Sequence, residues 1–368
     1  MTGTEDGATT GRGAADGAPA RGDGAPSAPP GVDVPRVTDW LRGTLPSATP
    51  RFTFDRIGDG RSNLTFRVGD EAGGAWILRR PPLGPRLRGA HDMVREHRLL
   101  AALHPAGVRV PEPLGLCEDE DVTGAPFYAM ELAEGQVVTG VGDLDAFPPE
   151  ARGTAGRSIV AALAELHAVD VEAVGLGDLS RHEGYAERQL KGWWRQWEAS
   201  MTRDVPAVER VRDLLAGAVP QQRRVGVVHG DYKLENVVLR PDGEVTAILD
   251  WELCTLGDPV ADLGTLMTYW IEADDPTGWA LSGADAPTRQ EGFPTRAEMA
   301  EEYARLTGDP LDGLPFFEAQ GCWKLAIIAQ GVARRFRDTP ENANIDPAVF
   351  DAAVDALTER AEAIAARL

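Results

Sequence analysis

Between Val227 and Gly264 the chain reads VVHGDYKLENVVLRPDGEVTAILDWELCTLGDPVADLG, and the polar residues in it are spaced as a working set. Asp231, Lys233 and Asn236 fall in one short polar loop, and Asp250 follows two apolar runs later. Transfer of a phosphoryl group asks little covalent chemistry of a protein. It needs a positioned acceptor hydroxyl, a carboxylate to take its proton, and metal ions that bridge the phosphates. Asp231 is the candidate base, and Asn236 and Asp250 offer the hard oxygen ligands that magnesium prefers.

These residues need a scaffold that holds them face to face. Val237 to Leu239 and Val245 to Leu249 are apolar runs joined by Pro241-Asp242-Gly243, where Pro presets φ and Gly accepts positive φ. The pattern predicts a hairpin between the loop and Asp250. Upstream, Phe52 to Ile57, Leu64 to Val68, Ala75 to Leu78 and Phe127 to Leu132 are short apolar runs bounded by turn residues, which predict strands. Met93, Leu100 and Leu103 recur at helical spacing within Ala90 to His104. From about Pro148 the pattern changes to long helices, including 151–167, 185–200, 296–306 and 347–368. The expected fold class is α+β with two lobes: a small β-rich lobe over 35–133 and a mainly helical lobe over 134–368. Residues 1–34 are Gly, Ala, Pro, Asp and Thr with almost no large apolar side chain, and are expected to form a disordered tail.

The run His229-Gly230-Asp231-Tyr232-Lys233-Leu234-Glu235-Asn236 resembles the catalytic loop of aminoglycoside phosphotransferases and, more distantly, of protein kinases. Asp250-Trp251-Glu252 is similar to the metal-binding segment of those phosphotransferases. The resemblance implies a protein-kinase-like fold, ATP and Mg2+ as cofactors, Asp231 as base, Asn236 and Asp250 as magnesium ligands, and Lys233 against the transferred phosphate. Arg79-Arg80-Pro81-Pro82, Ser62-Asn63-Leu64-Thr65, Gly292-Phe293-Pro294-Thr295-Arg296 and Trp323-Lys324-Leu325-Ala326 narrow it to the subfamily that resembles the kinase-like domain of some acyl-CoA dehydrogenases. That subfamily implies a hydroxyacyl-CoA-like acceptor.

The first lobe can be matched to the same scheme. A flexible turn over the phosphates could come from Gly58, Gly60, Ser62 and Asn63. The cation expected on the third strand cannot be lysine, because the lysines are Lys191, Lys233 and Lys324. Arg79 is the substitute, as the subfamily resemblance also implies. Glu96 lies within the apolar stripe of its helix, where a carboxylate is costly unless paired, and Arg79 is the expected partner. Met130, Glu131 and Leu132 fall where an interlobe hinge should meet adenine. His167 and His229 are read as packing or ordering groups, Asp258 and Asp262 as braces, and Trp193, Trp194 and Trp197 as packing residues.

A net charge of −21 disfavours a nucleic-acid partner, which takes clustered Lys and Arg. No apolar run reaches the eighteen or so residues of a membrane span. Three scattered cysteines suit a reducing cytoplasm and support neither a disulfide framework nor a zinc site. The expected partner is a small molecule bearing a hydroxyl. An antibiotic is the alternative acceptor, with Glu291, Glu298, Glu301 and Glu302 as carboxylates that could receive an aminoglycoside. A catalytically silent nucleotide-binding scaffold is the alternative of another class. Arg334, Arg335, Arg337 and Lys324 argue equally for an anionic acceptor such as an acyl-CoA phosphate, or form a solvated helix face.

Overall fold

The computed structural model describes residues 29–45, 48–49, 51–57, 63–84, 91–276, 279, 285–340 and 345–368. Most of the expected tail, and Gly58, Gly60 and Ser62 of the phosphate turn, lie outside the described residues. The chain is a two-lobed α+β protein.

The first lobe is a five-stranded antiparallel sheet of β1 (Phe52–Ile57), β2 (Leu64–Asp70), β3 (Ala75–Arg80), β4 (Pro113–Cys117) and β5 (Phe127–Glu131), in the order β1-β2-β3-β5-β4. Two helices cover it. On one face α1 (Val34–Thr44), capped by Asp33, buries Val37 and Leu41 against Phe66, Val68, Leu78 and Phe127. On the other, α2 (Met93–Leu103), capped by Asp92, buries Met93, Leu99, Leu100 and Leu103 against Ile77, Tyr128 and Met130. Adjacent strand residues such as Phe127 and Tyr128 go to opposite faces because successive side chains alternate across a sheet. A short helix, α3 (Glu120–Thr123), links β4 to β5. Ordered packing begins earlier than the expected end of the tail, since Val32 is already buried in the α1 core.

The second lobe is built from α4 (Pro149–His167), α5 (Tyr185–Ser200), α6 (Pro206–Gly217), α7 (Val260–Tyr269), α8 (Arg296–Thr307), α9 (Leu314–Asp338) and α10 (Pro347–Ala365). Two strand pairs interrupt the helices. Strand β6 (Gly226–Val228) pairs with β9 (Thr255–Gly257), and β7 (Val237–Leu239) pairs with β8 (Val245–Ile248). The nesting is what matters for the site. The loop from β6 to β7 and the segment from β8 to β9 start and end on paired strands, so the polar loop and Asp250 are brought side by side. The hairpin turn packs on α4 so closely that a Cβ on Gly243 would lie 2.1 Å from the Ala151 carbonyl oxygen. Among the described residues no helix is long and apolar enough to cross a membrane. Cys117, Cys254 and Cys322 are free and buried.

Candidate active site

Asp231 is held from several directions. Its carboxylate Oδ2 lies 2.9 Å from Lys233 Nζ and accepts a hydrogen bond from Asn236 Nδ2 at 3.1 Å. The same Nδ2 donates to the Asp231 carbonyl oxygen at 2.8 Å, which leaves Asn236 Oδ1 for other partners. Burial works against the charge on Lys233, but Tyr269 and Asp231 beside it hold its ammonium above the ordinary lysine value.

The loop is anchored by residues that do not face the cleft. The buried Asp262 carboxylate, on α7, accepts the backbone N–H of His229 at 2.6 Å and of Gly230 at 2.8 Å. Burial opposes its charge, yet His167 and His229 around it hold Asp262 below the ordinary aspartate value. His167 Nε2 lies 3.2 Å from the same carboxylate, and its Nδ1 lies 2.6 Å from the Tyr303 hydroxyl. His229 Nδ1 accepts from the Asp231 N–H at 3.2 Å, so the ring carries its proton on Nε2 and donates it to the Leu249 carbonyl at 2.8 Å. Thus one imidazole ties the Asp231 loop to the strand that delivers Asp250. Asp258 instead accepts from Val260 N–H at the start of α7.

Asp250 has a left-handed backbone (φ 64°, ψ 68°) at the end of β8. Its Oδ1 accepts from Arg79 Nη2 at 2.7 Å, while Arg79 Nε lies 3.0 Å from Glu96 Oε1. Arg79 therefore bridges the α2 carboxylate and the Asp250 carboxylate across the two lobes. Burial pushes Glu96 up from the usual carboxylate range, and Arg79 and the Tyr128 hydroxyl pull against it. Next to Asp250, burial and the Asp250 charge push Glu252 up to about 7.

Two cavities meet this cluster. One, of about 200 Å³, lies between the lobes and is lined by Arg79, Glu96, Met130, Glu131, Leu132 and Asp250 among others. The Glu131 N–H is already donated to the Glu112 carbonyl at 2.9 Å, so this residue meets the cleft without a free backbone donor. Asn63, just before β2, is buried with its Oδ1 2.9 Å from His91 Nδ1 and its Nδ2 without a hydrogen-bond partner among the described residues. The second cavity, of about 240 Å³, is lined by Lys233, Glu235, Tyr269, Trp270, Ile271 and Ile328 among others.

Among the described residues no group of three or more His, Cys, Asp or Glu could hold a metal alone. The pair of Asn236 Oδ1 and the Asp250 carboxylate suits a hard cation that brings phosphate and water oxygens with it.

A family model described as phosphotransferase enzyme family matches residues 53–304. The chain belongs to this family. The phosphotransferase is 36% identical over 303 residues to mouse acyl-CoA dehydrogenase family member 10, covering 80% of this chain and 28% of that protein. It is 36% identical over 290 residues to chicken acyl-CoA dehydrogenase family member 11, covering 75% of this chain and 36% of that one. It thus spans about a third of the length of these relatives. Among solved structures, a protein from Ralstonia eutropha described provisionally as an aminoglycoside phosphotransferase superposes with TM-score 0.75 at 30% identity, over 91% of this chain and 98% of that one. A thermostable mutant of aminoglycoside phosphotransferase APH(4)-Ia, in ternary complex with AMP-PNP and hygromycin B, has TM-score 0.55 at 17% identity, over 87% and 98%, and shares the fold.

Several expected site residues come together: Asp231, Lys233 and Asn236 in one knot, and Arg79, Glu96 and Asp250 in another. The expected acceptor carboxylates do not line the second cavity. Glu298 caps α8 through Thr295, and Glu302 pairs with Arg305. Of the arginines and lysine expected to attract an anion, Arg334 and Arg337 pair with Asp338 and Asp351, and Lys324 points inward to the Asp231 loop. Of the tryptophans, Trp197 is buried, Trp194 is stacked by Arg212, and Trp193 lies against Lys324. Two parts of the second cavity went unread in the sequence: Tyr269, which closes the apolar run of α7, and the 286–288 wall, an Ala-Pro-Thr turn that matches no motif.

Proposed function

We propose that this phosphotransferase transfers the γ-phosphate of ATP, with magnesium, to a hydroxyl on a small molecule, and that the acceptor is a hydroxyacyl-CoA-like metabolite. The observation that carries the reading is Asp231, whose carboxylate is pinned by Asn236 and by Lys233, itself a residue of the second cavity's wall. A carboxylate so placed can accept the hydroxyl proton of a molecule in the second cavity while Lys233 meets the transferred phosphate. Arg79, braced by Glu96, supplies the first lobe's positive charge to the phosphate end of the cleft. The sheet residues Ile77 and Met130 offer adenine an apolar wall, and Asn63 Nδ2 offers the phosphates a buried donor. Asn236 and Asp250 are the residues whose oxygens would hold magnesium, which when bound neutralises charge on the phosphates.

The lining of the second cavity supports the acceptor class. Its walls are mostly apolar and aromatic, and among the described residues Glu235 is the carboxylate that lines it. A polycationic aminosugar calls for several carboxylates, whereas an acyl chain gains from apolar walls. The test is magnesium-dependent ADP release with 3- and 4-hydroxyacyl-CoAs, aminoglycosides, macrolides and choline as acceptors. Stimulation by the hydroxyacyl-CoAs, slowed by roughly 10²–10⁴ in Asp231→Asn, is expected. Stimulation by an aminoglycoside or macrolide instead would replace the acceptor and keep the chemistry; full activity in Asp231→Asn would remove the base.

A further inference from the structure

We infer that Lys324, on α9, is a positioning residue for the catalytic base, a role that rests on the reading of Asp231 given above. Its ammonium donates to the Gly230 carbonyl oxygen at 2.6 Å and sits 5.3 Å from the centre of the Trp193 ring. That carbonyl belongs to the peptide unit joining Gly230 to Asp231. The N–H of the same unit is the one donated to His229 Nδ1, so the plane is fixed at its oxygen by Lys324 and at its nitrogen by His229. The next peptide is fixed through the Asp231 carbonyl by Asn236. With both flanking planes held, the Asp231 side chain leaves the backbone in one direction.

The local backbone explains why a charged clamp is needed. Gly230 has φ 86°, and a Cβ there would lie 2.7 Å from the Leu253 carbonyl oxygen, so a glycine is required. Glycine leaves the peptide free to rotate, and the clamp removes that freedom. Its N–H is bound by the Asp262 anion and its C=O by the Lys324 cation, charge-assisted contacts that are stronger than neutral ones. Burial and the nearby Lys233 lower the pKa of Lys324, and Asp231 and Asp262 oppose them. On the same helix Leu325 and Ile328 line the second cavity, so one rigid element carries both an acceptor wall and the clamp on the base.

The experiment compares wild type, Lys324→Met and Lys324→Ala, with Asp231→Asn beside them, reading MgATP turnover with a medium-chain 4-hydroxyacyl-CoA and with water as acceptor. Lys324→Met is expected to lower kcat about 10²-fold, the scale of a small misalignment, with KM for ATP unchanged. Propylamine, which supplies the methylenes and ammonium absent from Lys324→Ala, should restore part of that kcat. Wild-type kcat in Lys324→Met, or a loss that appears wholly as weaker ATP binding, overturns the inference. Should either variant melt well below wild type, amine rescue decides, because a structural defect would not respond to propylamine under turnover conditions. Asp231→Asn separates the two readings: an active Asp231→Asn removes the base itself, whereas a dead Asp231→Asn beside a fully active Lys324→Met removes only the clamp.

Discussion

A carboxylate on the core face of a helix must find a cation or give up its charge, and Glu96 finds Arg79 at 3.0 Å with its own side chain 4% exposed. Removing one partner of such a pair leaves an uncompensated buried charge. Arg79→Leu should therefore cost on the order of 3–5 kcal/mol in urea unfolding, and the Arg79→Leu/Glu96→Leu double variant should recover much of it. ATP affinity should return in neither, because the positive charge beside Asp250 is missing from both. A double variant as unstable as the single one would show that lost packing, not an orphaned charge, sets the cost. At this scale the sequence was informative where chemistry forces a choice: the absence of a first-lobe lysine left Arg79, and the helical spacing placed Glu96 inward. It grouped Lys324 with the nearby arginines and was silent on its contact with Gly230, which depends on how α9 lies against the β6–β7 loop. A lone lysine in the apolar run from Cys322 to Ile328 was the available signal.

Helices α4, α7 and α8 meet at one buried knot, where His167, Asp262 and Tyr303 join side chains and Asp262 carries the Asp231 loop. Burial lowers the pKa of His167 below 6.5, despite the Asp262 carboxylate beside it. The unfolded chain then binds the proton more readily, so the stabilisation is fully present above pH about 6.5 and is lost as pH falls through the lower folded value. Thermal melts should show a flat Tm from pH 8 to 7 and a decline below about 6.5, and His167→Gln should flatten that decline. An unchanged slope in His167→Gln would assign the acid sensitivity to other groups. The hairpin beside the knot gives a second check. Gly243→Ala puts a Cβ against α4 at φ 90°, and should destabilise by more than the ~1 kcal/mol that an unstrained exchange would gain. The turn at Pro241-Asp242-Gly243 was legible because its signal is local. The pairing of β6 with β9 was not, since three-residue strands carry no periodicity and their register is set by residues nearly thirty positions away. Helix α1 escaped for a related reason: its apolar stripe, with Val37 and Leu41 buried, directly follows a polar, Gly-rich stretch.

The two lobes share one buried core, in which Ile77, Leu100 and Val110 of the first join Ile159, Leu163 and Ile248 of the second, and polar ties add to it. Arg79 reaches Asp250, Arg95 donates to the Cys254 carbonyl, and Arg98 pairs with Asp178. A nucleotide in the cleft would contact β3 and β5 on one side and Asp250 on the other, so binding should stabilise the lobes as a unit. At a hundredfold excess over Kd the linkage amounts to about 2.7 kcal/mol, a shift easily read in a thermal melt. Arg79 holds an oxygen of Asp250, so a divalent cation arriving with ATP competes for that carboxylate with a guanidinium. The expected result is a large rise in Tm with MgATP, a smaller one with ATP in EDTA, and no difference between the two in Asp250→Ala. In that variant Arg79 also loses one of its two anchors, so ATP alone should gain relative to wild type, because the phosphates no longer contend with Asp250 for the guanidinium. Equal shifts with and without magnesium in the wild type would remove Asp250 as a metal-holding residue and leave it as the counter-charge of Arg79.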